Sequence, residues 1–215
     1  MLGSIGVVAE TSHLQRAAFN AAFAEAGLDW VWSEPAYREM LARSGGHDRI
    51  ARYAAARGES VDAAALQDAK TRLFREMLAQ GVPARPGVAE TLDEARAAGW
   101  RTAFVTTTAP GNVAAILEAT GIGAEAFDLV LGRGDVAAAK PDPEVYRLAL
   151  SRLSATPAEA RAVEDNPDGL TAARAAGLGC VAFPGALHEG SDFTPAAAIV
   201  SRLSFQAVRT AHVPD

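Results

Sequence analysis

ARAVEDNPDGLTAARAAG, residues 160–177, changes character twice. Ala160 to Glu164 is a strand-like run that closes on two adjacent carboxylates, Glu164 and Asp165. From Pro167 to Ala176 the apolar spacing becomes helical, and Gly177 ends it. A second strand-like run follows at Gly179 to Phe183. The same alternation extends upstream. A helix is predicted over Val88 to Ala98, a strand over Arg101 to Thr106, and a helix after Pro110-Gly111 as far as Thr120. A strand over Asp128 to Leu131 and a helix after Pro141-Asp142-Pro143 complete the series. Downstream, Ala197 to Val200 reads as a last short strand, and Ser204 to Asp215 as a short helix or a disordered tail. Repeated strand–helix units call for a parallel sheet with helices on both faces, the α/β class. Sites in such sheets lie at the carboxyl ends of strands, which directs attention to Thr106, to 132–140 and to Glu164-Asp165.

The front of the chain has a different texture. Ile5 to Ala9 is a brief apolar run of strand type. Thr11-Ser12 suits a helix N-cap, and Leu14, Ala17, Ala18, Ala21 and Ala22 recur at helical spacing before Gly27. Further helical patterns cover Pro35 to Ala42, Asp48 to Ala56 and Val61 to Gln80, with Trp30 and Trp32 as packing residues. GVPARPG, residues 81–87, holds two prolines and two glycines and reads as a turn and hinge. The expected organisation is a core of residues 1–11 and 84–215, with a helical domain of residues 12–83 inserted into it.

The chain has 215 residues, 49% apolar and 21% charged, which are globular values. A net charge of −6 without basic blocks argues against nucleic acid and anionic membranes as partners. It leaves small anions open, since one lysine or one helix start can bind a phosphate. Cys180 is the only cysteine, so no internal disulfide forms. The first residues lack a charged, apolar leader pattern, and no stretch approaches the roughly 18 apolar residues of a membrane span. The expectation is a soluble, cytoplasmic protein. Nothing in the sequence speaks to its oligomeric state.

Three groups at predicted strand ends can carry chemistry. Thr106-Thr107-Thr108 offers hydroxyls and backbone N–H groups beside a helix start, suited to phosphate oxygens, although threonine also serves simply as a cap. Lys140 follows small residues at a helix entry and can neutralise a phosphate, although lysine is usually a surface residue. Glu164-Asp165 can hold a hard cation such as Mg²⁺, although acidic residues also favour helix starts.

Taken together and in this order, these residues resemble the haloacid dehalogenase (HAD) superfamily. Thr106 matches its second motif, Lys140 with Pro141 and Pro143 its third, and Glu164, Asp165 and Gly169 its fourth. The helical insert resembles the C1-type cap of the β-phosphoglucomutase and phosphoglycolate phosphatase branch. There Gly45-Gly46-x-x-Arg49-Ile50 is similar to the cap segment that faces substrate. The resemblance implies a Rossmann-like core and phosphate contacts from Thr106, Thr107 and Lys140. It also implies Mg²⁺ on Glu164 and Asp165, cap contacts from Gly46 and Arg49, and a small phosphorylated metabolite as ligand.

The first motif departs from that family. Its D-x-D-G-T aligns with Gly3-Ser4-Ile5-Gly6-Val7, so Gly3 stands at the nucleophilic aspartate and Ile5 at the acid/base aspartate. Glycine has no nucleophile, and isoleucine transfers no proton. Strand alternation is expected to turn Ser4 away from the face shared by Gly3 and Ile5. Gln15 stands where the mutase branch often has a histidine. The leading expectation is a HAD-fold protein with a phosphate cleft and impaired catalysis. The alternatives are a Mg²⁺-dependent phosphatase working by a non-standard route and an interaction protein with a vestigial cleft.

Overall fold

The structure, a computed structural model, describes residues 1–41 and 45–212. The chain divides into two compact units, one of Met1–Glu10 with Gly81–Asp215 and one of Thr11–Gln80. The first unit begins with a four-residue helix, α1 (Ile5–Val8), where a strand is expected over Ile5 to Ala9. A short apolar run cannot be assigned by periodicity alone. Here Ser4 decides the matter, because its hydroxyl caps the turn by accepting from the Val7 N–H at 3.3 Å.

The second unit is helical: α2 (Ser12–Glu25), α3 (Glu34–Met40), α4 (Gly46–Arg57) and α5 (Ala63–Leu78). The last residue of the helix expected to reach Ala42 lies outside the described residues. Phe19, Phe23, Trp30 and Trp32 are fully buried and stack edge to face or tilted, with Trp32 lying 4.7 Å from Phe19 and 4.8 Å from Phe23 between ring centroids. The Trp30 indole N–H donates to Glu59 at 2.8 Å, which satisfies its one polar atom.

The first unit continues with α6 (Val88–Ala97), β1 (Ala103–Val105), α7 (Pro110–Ala119), β2 (Leu129–Leu131), α8 (Glu144–Arg152), β3 (Arg161–Glu164), α9 (Pro167–Ala175), β4 (Gly179–Ala182), β5 (Ala198–Ile199) and α10 (Phe205–Thr210). The pairs β1–β2, β3–β4 and β4–β5 are parallel. Leu2 bridges the two halves, pairing with Phe104 on one side and Val163 on the other. The order across the sheet is therefore β2, β1, Leu2, β3, β4, β5. All of β4 and most of β3 are buried, as expected of central parallel strands covered on both faces. Leu2 occupies the centre with only Met1 and Gly3 beside it, so the chain turns into α1 at the carboxyl edge of the sheet. No described helix is long and apolar enough to cross a membrane.

Candidate active site

Three strand ends converge at that edge. Gly3 follows Leu2, Thr106 follows β1, and Glu164 and Asp165 close β3. Lys140 reaches them from the turn before α8. Its ammonium, buried like the Glu164 carboxylate, donates to the Gly3 carbonyl, to the Val105 carbonyl at 2.9 Å and to Glu164 Oε1 at 2.6 Å. Tyr146 Oη lies 3.4 Å away. Three ammonium protons thus face four protein oxygens, and no donor is left over. Tyr146 in turn donates to Glu164 Oε1 at 2.5 Å. Burial pushes the Glu164 carboxyl up from its ordinary value while Lys140 pulls it down. Burial and the neighbouring Glu164 charge hold the Tyr146 phenol well above its usual range. Glu164 Oε2 is buried without a partner.

This cluster occupies the room that a side chain at position 3 would need. A Cβ built on Gly3 would fall on the Glu164 carboxylate and on Tyr146 Oη, closer than any real Cβ approaches. Gly169 is constrained in the same way from the other side of Glu164. Glycine at 3 and 169 therefore lets Glu164 fold back onto Lys140. Ile5 lies in α1 and brings no polar atom.

Asp165 sits on the cleft side of β3. Its Oδ1 accepts from Ser4 Oγ at 2.6 Å and from the Asn166 amide at 2.7 Å. Ser4 thus points into the site and not away from it. The alternation argument fails because Ser4 caps a helix and is not part of a strand. Arg85 closes this side. It donates to the Gly6 and Phe183 carbonyls, both at 2.8 Å, and to the Pro184 carbonyl at 2.6 Å, with its guanidinium 3.4 Å from the Phe183 ring centroid. Burial lowers its pKa, and the Asp165 and Glu10 charges oppose that shift. Glu10 accepts from the Ala186 N–H at 2.7 Å. Thr106 is buried. Its hydroxyl accepts from the Thr108 N–H and lies 3.1 Å from the Thr108 hydroxyl, while Thr107 and Thr108 are half-buried at the mouth.

Mg²⁺ takes oxygen ligands in octahedral geometry, commonly one or two carboxylates with waters and phosphate oxygens. Gly3 and Ile5 supply no side-chain oxygen here. Glu164 Oε1 is held by a cation and a phenol while Oε2 is enclosed against Gly169, and Asp165 Oδ1 is held by Ser4 and Asn166. Asp165 Oδ2 is the remaining carboxylate oxygen on the cleft side. In this arrangement the expected pair Glu164 and Asp165 does not fit a divalent cation.

The helical unit holds Gly46 and Arg49. Gly46 opens α4, and a Cβ there would run into the Gln67 carboxamide. Arg49 is buried. Its Nε donates to the Met40 carbonyl at 3.3 Å, and its guanidinium lies 5.5 Å from the Tyr37 ring centroid and 5.9 Å from that of Phe19. The same unit buries Lys70, which the sequence reading passed over. Its ammonium donates to Gln15 Oε1 and sits 5.0 Å and 4.9 Å from the Phe19 and Phe74 ring centroids. Burial, reinforced by Arg49, lowers it to about 8. Gln15 is thus the partner of this lysine. Tyr146 and Arg85 were also missed, whereas Ser4 was considered and expected to face away. A tyrosine inside an apolar helix reads as core, and an arginine between hinge prolines reads as surface.

The family model for haloacid dehalogenase-like hydrolase matches residues 5–177. Protein CbbY of Cereibacter sphaeroides is 43% identical over 199 residues, covering 89% of this chain and 86% of that protein. Protein CbbY of Rhodobacter capsulatus is 40% identical over 216 residues, covering 98% and 94%. Among solved structures, CbbY from Rhodobacter sphaeroides in complex with phosphate superposes with a TM-score of 0.87 at 37% identity, over 97% of each chain. A mutant of the same protein in complex with xylulose-(1,5)bisphosphate gives a TM-score of 0.86, also at 37% identity, over 96% of each.

Proposed function

Haloacid dehalogenase-like hydrolase is the family to which this chain belongs, and from that premise we propose that it binds a small phosphorylated metabolite without hydrolysing it through an aspartyl phosphate. The observation that carries this reading is the filling of the position-3 pocket by Glu164 and Tyr146, with Lys140 engaged behind them. An aspartyl route needs a carboxylate at the cleft and a second group to protonate the leaving oxygen. Gly3 and Ile5 supply neither, and Glu164 is fully buried. The ligand class follows from the relatives, in which CbbY holds phosphate or a sugar bisphosphate. Thr106, Thr107 and Thr108 offer hydroxyl and backbone N–H groups at the equivalent strand end, with the Lys140–Glu164 pair behind them. No step is assigned to Mg²⁺.

One observation favours a second reading. Ser4 Oγ and Asp165 Oδ1 are 2.6 Å apart at the cleft, a hydroxyl beside a base. In a hydrolase by a non-standard route, Asp165 would take a proton from a water that attacks phosphorus, the P–O bond to the ester oxygen would break, and Asp165 would pass the proton to that leaving oxygen, with Ser4 holding Asp165 in place. The deciding experiment measures phosphate release from small phosphate esters, xylulose-1,5-bisphosphate included, with Mg²⁺ supplied. It compares the unaltered protein with Ser4→Ala and Asp165→Ala, and calorimetry follows binding of the same compounds. Saturable binding without release supports the binding protein. Release that falls about 10²-fold or more in both variants, the usual weight of acid–base help, establishes the second reading. Neither binding nor release means the cleft is vestigial and overturns both.

A further inference from the structure

Arg85 lies in GVPARPG, the turn of residues 81–87, and the proposed function gives it no task. Its backbone N–H donates to the Val8 carbonyl at 2.8 Å, at the end of α1. Its side chain faces carbonyls from two segments far apart in sequence. Nη1 donates to Gly6 in α1 and to Phe183 just after β4, and Nη2 donates to Pro184. The guanidinium carbon is 3.4 Å from the Phe183 ring centroid. A planar fork with three acceptors and an aromatic neighbour has little freedom left.

The two segments that Arg85 joins enclose one carboxylate. A Cβ built on Gly6 would fall on Asp165 Oδ2, so α1 lies directly against that oxygen. On the other side the Gly185 N–H donates to the Asp165 carbonyl at 3.2 Å, and a Cβ on Gly185 would come within 3.6 Å of Oδ2. Oδ1 is held by Ser4, the N-cap of α1, and by the Asn166 amide. The side-chain hydrogen bonds of Arg85 go to these two walls and not to the carboxylate between them.

We propose that Arg85 is a positioning residue for the cleft: by bridging α1 to the segment after β4, it fixes the walls that seat Asp165 and Ser4. The bridge depends on shape as well as charge. A single ammonium on a flexible stem does not reproduce a planar fork that reaches three carbonyls on two segments. The consequence for ligand affinity rests on the binding function proposed above. The seating of Asp165 does not, and it is tested separately.

The experiment reads a group that Asp165 holds and Arg85 does not bond. The chain has three asparagines, Asn20, Asn112 and Asn166, so ¹⁵N-labelled asparagine gives three side-chain amide signals in the full chain. Asn166→Ser identifies the one that donates to Asp165 Oδ1. In Arg85→Met that signal should shift and its exchange with water should quicken, while the Asn20 signal, from an amide bonded to Trp32 in the helical unit, stays in place. Arg85→Lys keeps the charge without the fork and should show most of the same change. Because Arg85→Met can fail to fold, Arg85→Lys decides alone in that case. Calorimetric titration with xylulose-1,5-bisphosphate runs alongside, and each variant should bind about tenfold more weakly, the weight of one lost charge-assisted hydrogen bond. If the unaltered protein binds none of this compound, the binding function fails and the Asn166 signal by itself decides the role of Arg85. An Asn166 signal unmoved in the folded variants, full recovery of it by Arg85→Lys, or unchanged affinity where the unaltered protein binds overturns the proposal.

Discussion

The chain has two lysines among 20 basic residues, and each compact unit buries one of them. The comparison between them is instructive because lysine is seldom buried at all. Lys140 in the sheet unit faces a carboxylate, a phenol and two carbonyls. Lys70 in the helical unit faces one carboxamide oxygen and two aromatic rings, with Arg49 nearby and no carboxylate among the described residues. The first cation is neutralised within the protein. The second keeps its charge only against desolvation, which is why it titrates near 8.

The largest effect should come from breaking the Lys140 pair. Glu164→Ala leaves an ammonium buried without a counter-charge, a change that typically costs about 3–5 kcal/mol. For a chain of this size that lowers Tm by about 6–20 °C, measured by scanning calorimetry. Glu164→Gln should cost clearly less, because the amide still gives Lys140 an oxygen. If the two variants lose equally little, Lys140 is not held by this pair.

The comparison predicts the opposite sign at Lys70. Lowering a lysine from 10.5 to about 8 corresponds to about 3 kcal/mol against its charged form, so Lys70→Met should stabilise by about 1–3 kcal/mol. The pH dependence follows from the same shift. Between about 8 and 10.5 the unfolded chain binds a proton that the folded chain has released, so the unaltered protein gains stability as pH rises through that window. Lys70→Met should lose that gain. With two lysines in the chain, ¹⁵N-labelled lysine gives two side-chain signals, and the one removed by Lys70→Met should titrate near 8. Destabilisation by Lys70→Met would mean that the ammonium is already compensated within the unit.

Thr106, Lys140, Glu164 and Asp165 were legible because each closes or follows a strand in a sequence of strand–helix units, and the sheet rule places such ends together. That Gly3 and Ile5 bring no carboxylate to the sheet edge was legible in the residues themselves. What lies against Gly3 was not. Tyr146 lies six residues past Lys140 on an apolar helix face, and nothing in its spacing separates a core tyrosine from one that bonds a carboxylate. Ser4 was misread because four apolar residues after it fit a strand and a capped turn equally well. Lys70 sits in a charged helix whose surface and core faces differ by a fraction of a turn.

The smallest effect tests how firmly Lys140 is held. Gly3→Asp returns a carboxylate to the first motif, directly into the room now filled by Glu164 and Tyr146. The atoms in the way are the far ends of side chains and not backbone, so Gly3→Asp requires Glu164 and Tyr146 to shift, at about the 1–3 kcal/mol of overpacking. Lys140 would then have two carboxylates competing for it. Gly3→Asp alone should give no phosphate release, because Ile5 still provides no proton for the leaving group. Gly3→Asp with Ile5→Asp should give release, in the same assay with Mg²⁺, if the surviving strand ends are otherwise competent. Release from the single variant would mean that another group already supplies the proton, and Ser4 beside Asp165 would be the first to examine. A double variant that folds, binds phosphate and stays silent would mean that Glu164 does not leave Lys140, and that the first-motif residues are not the only barrier to catalysis.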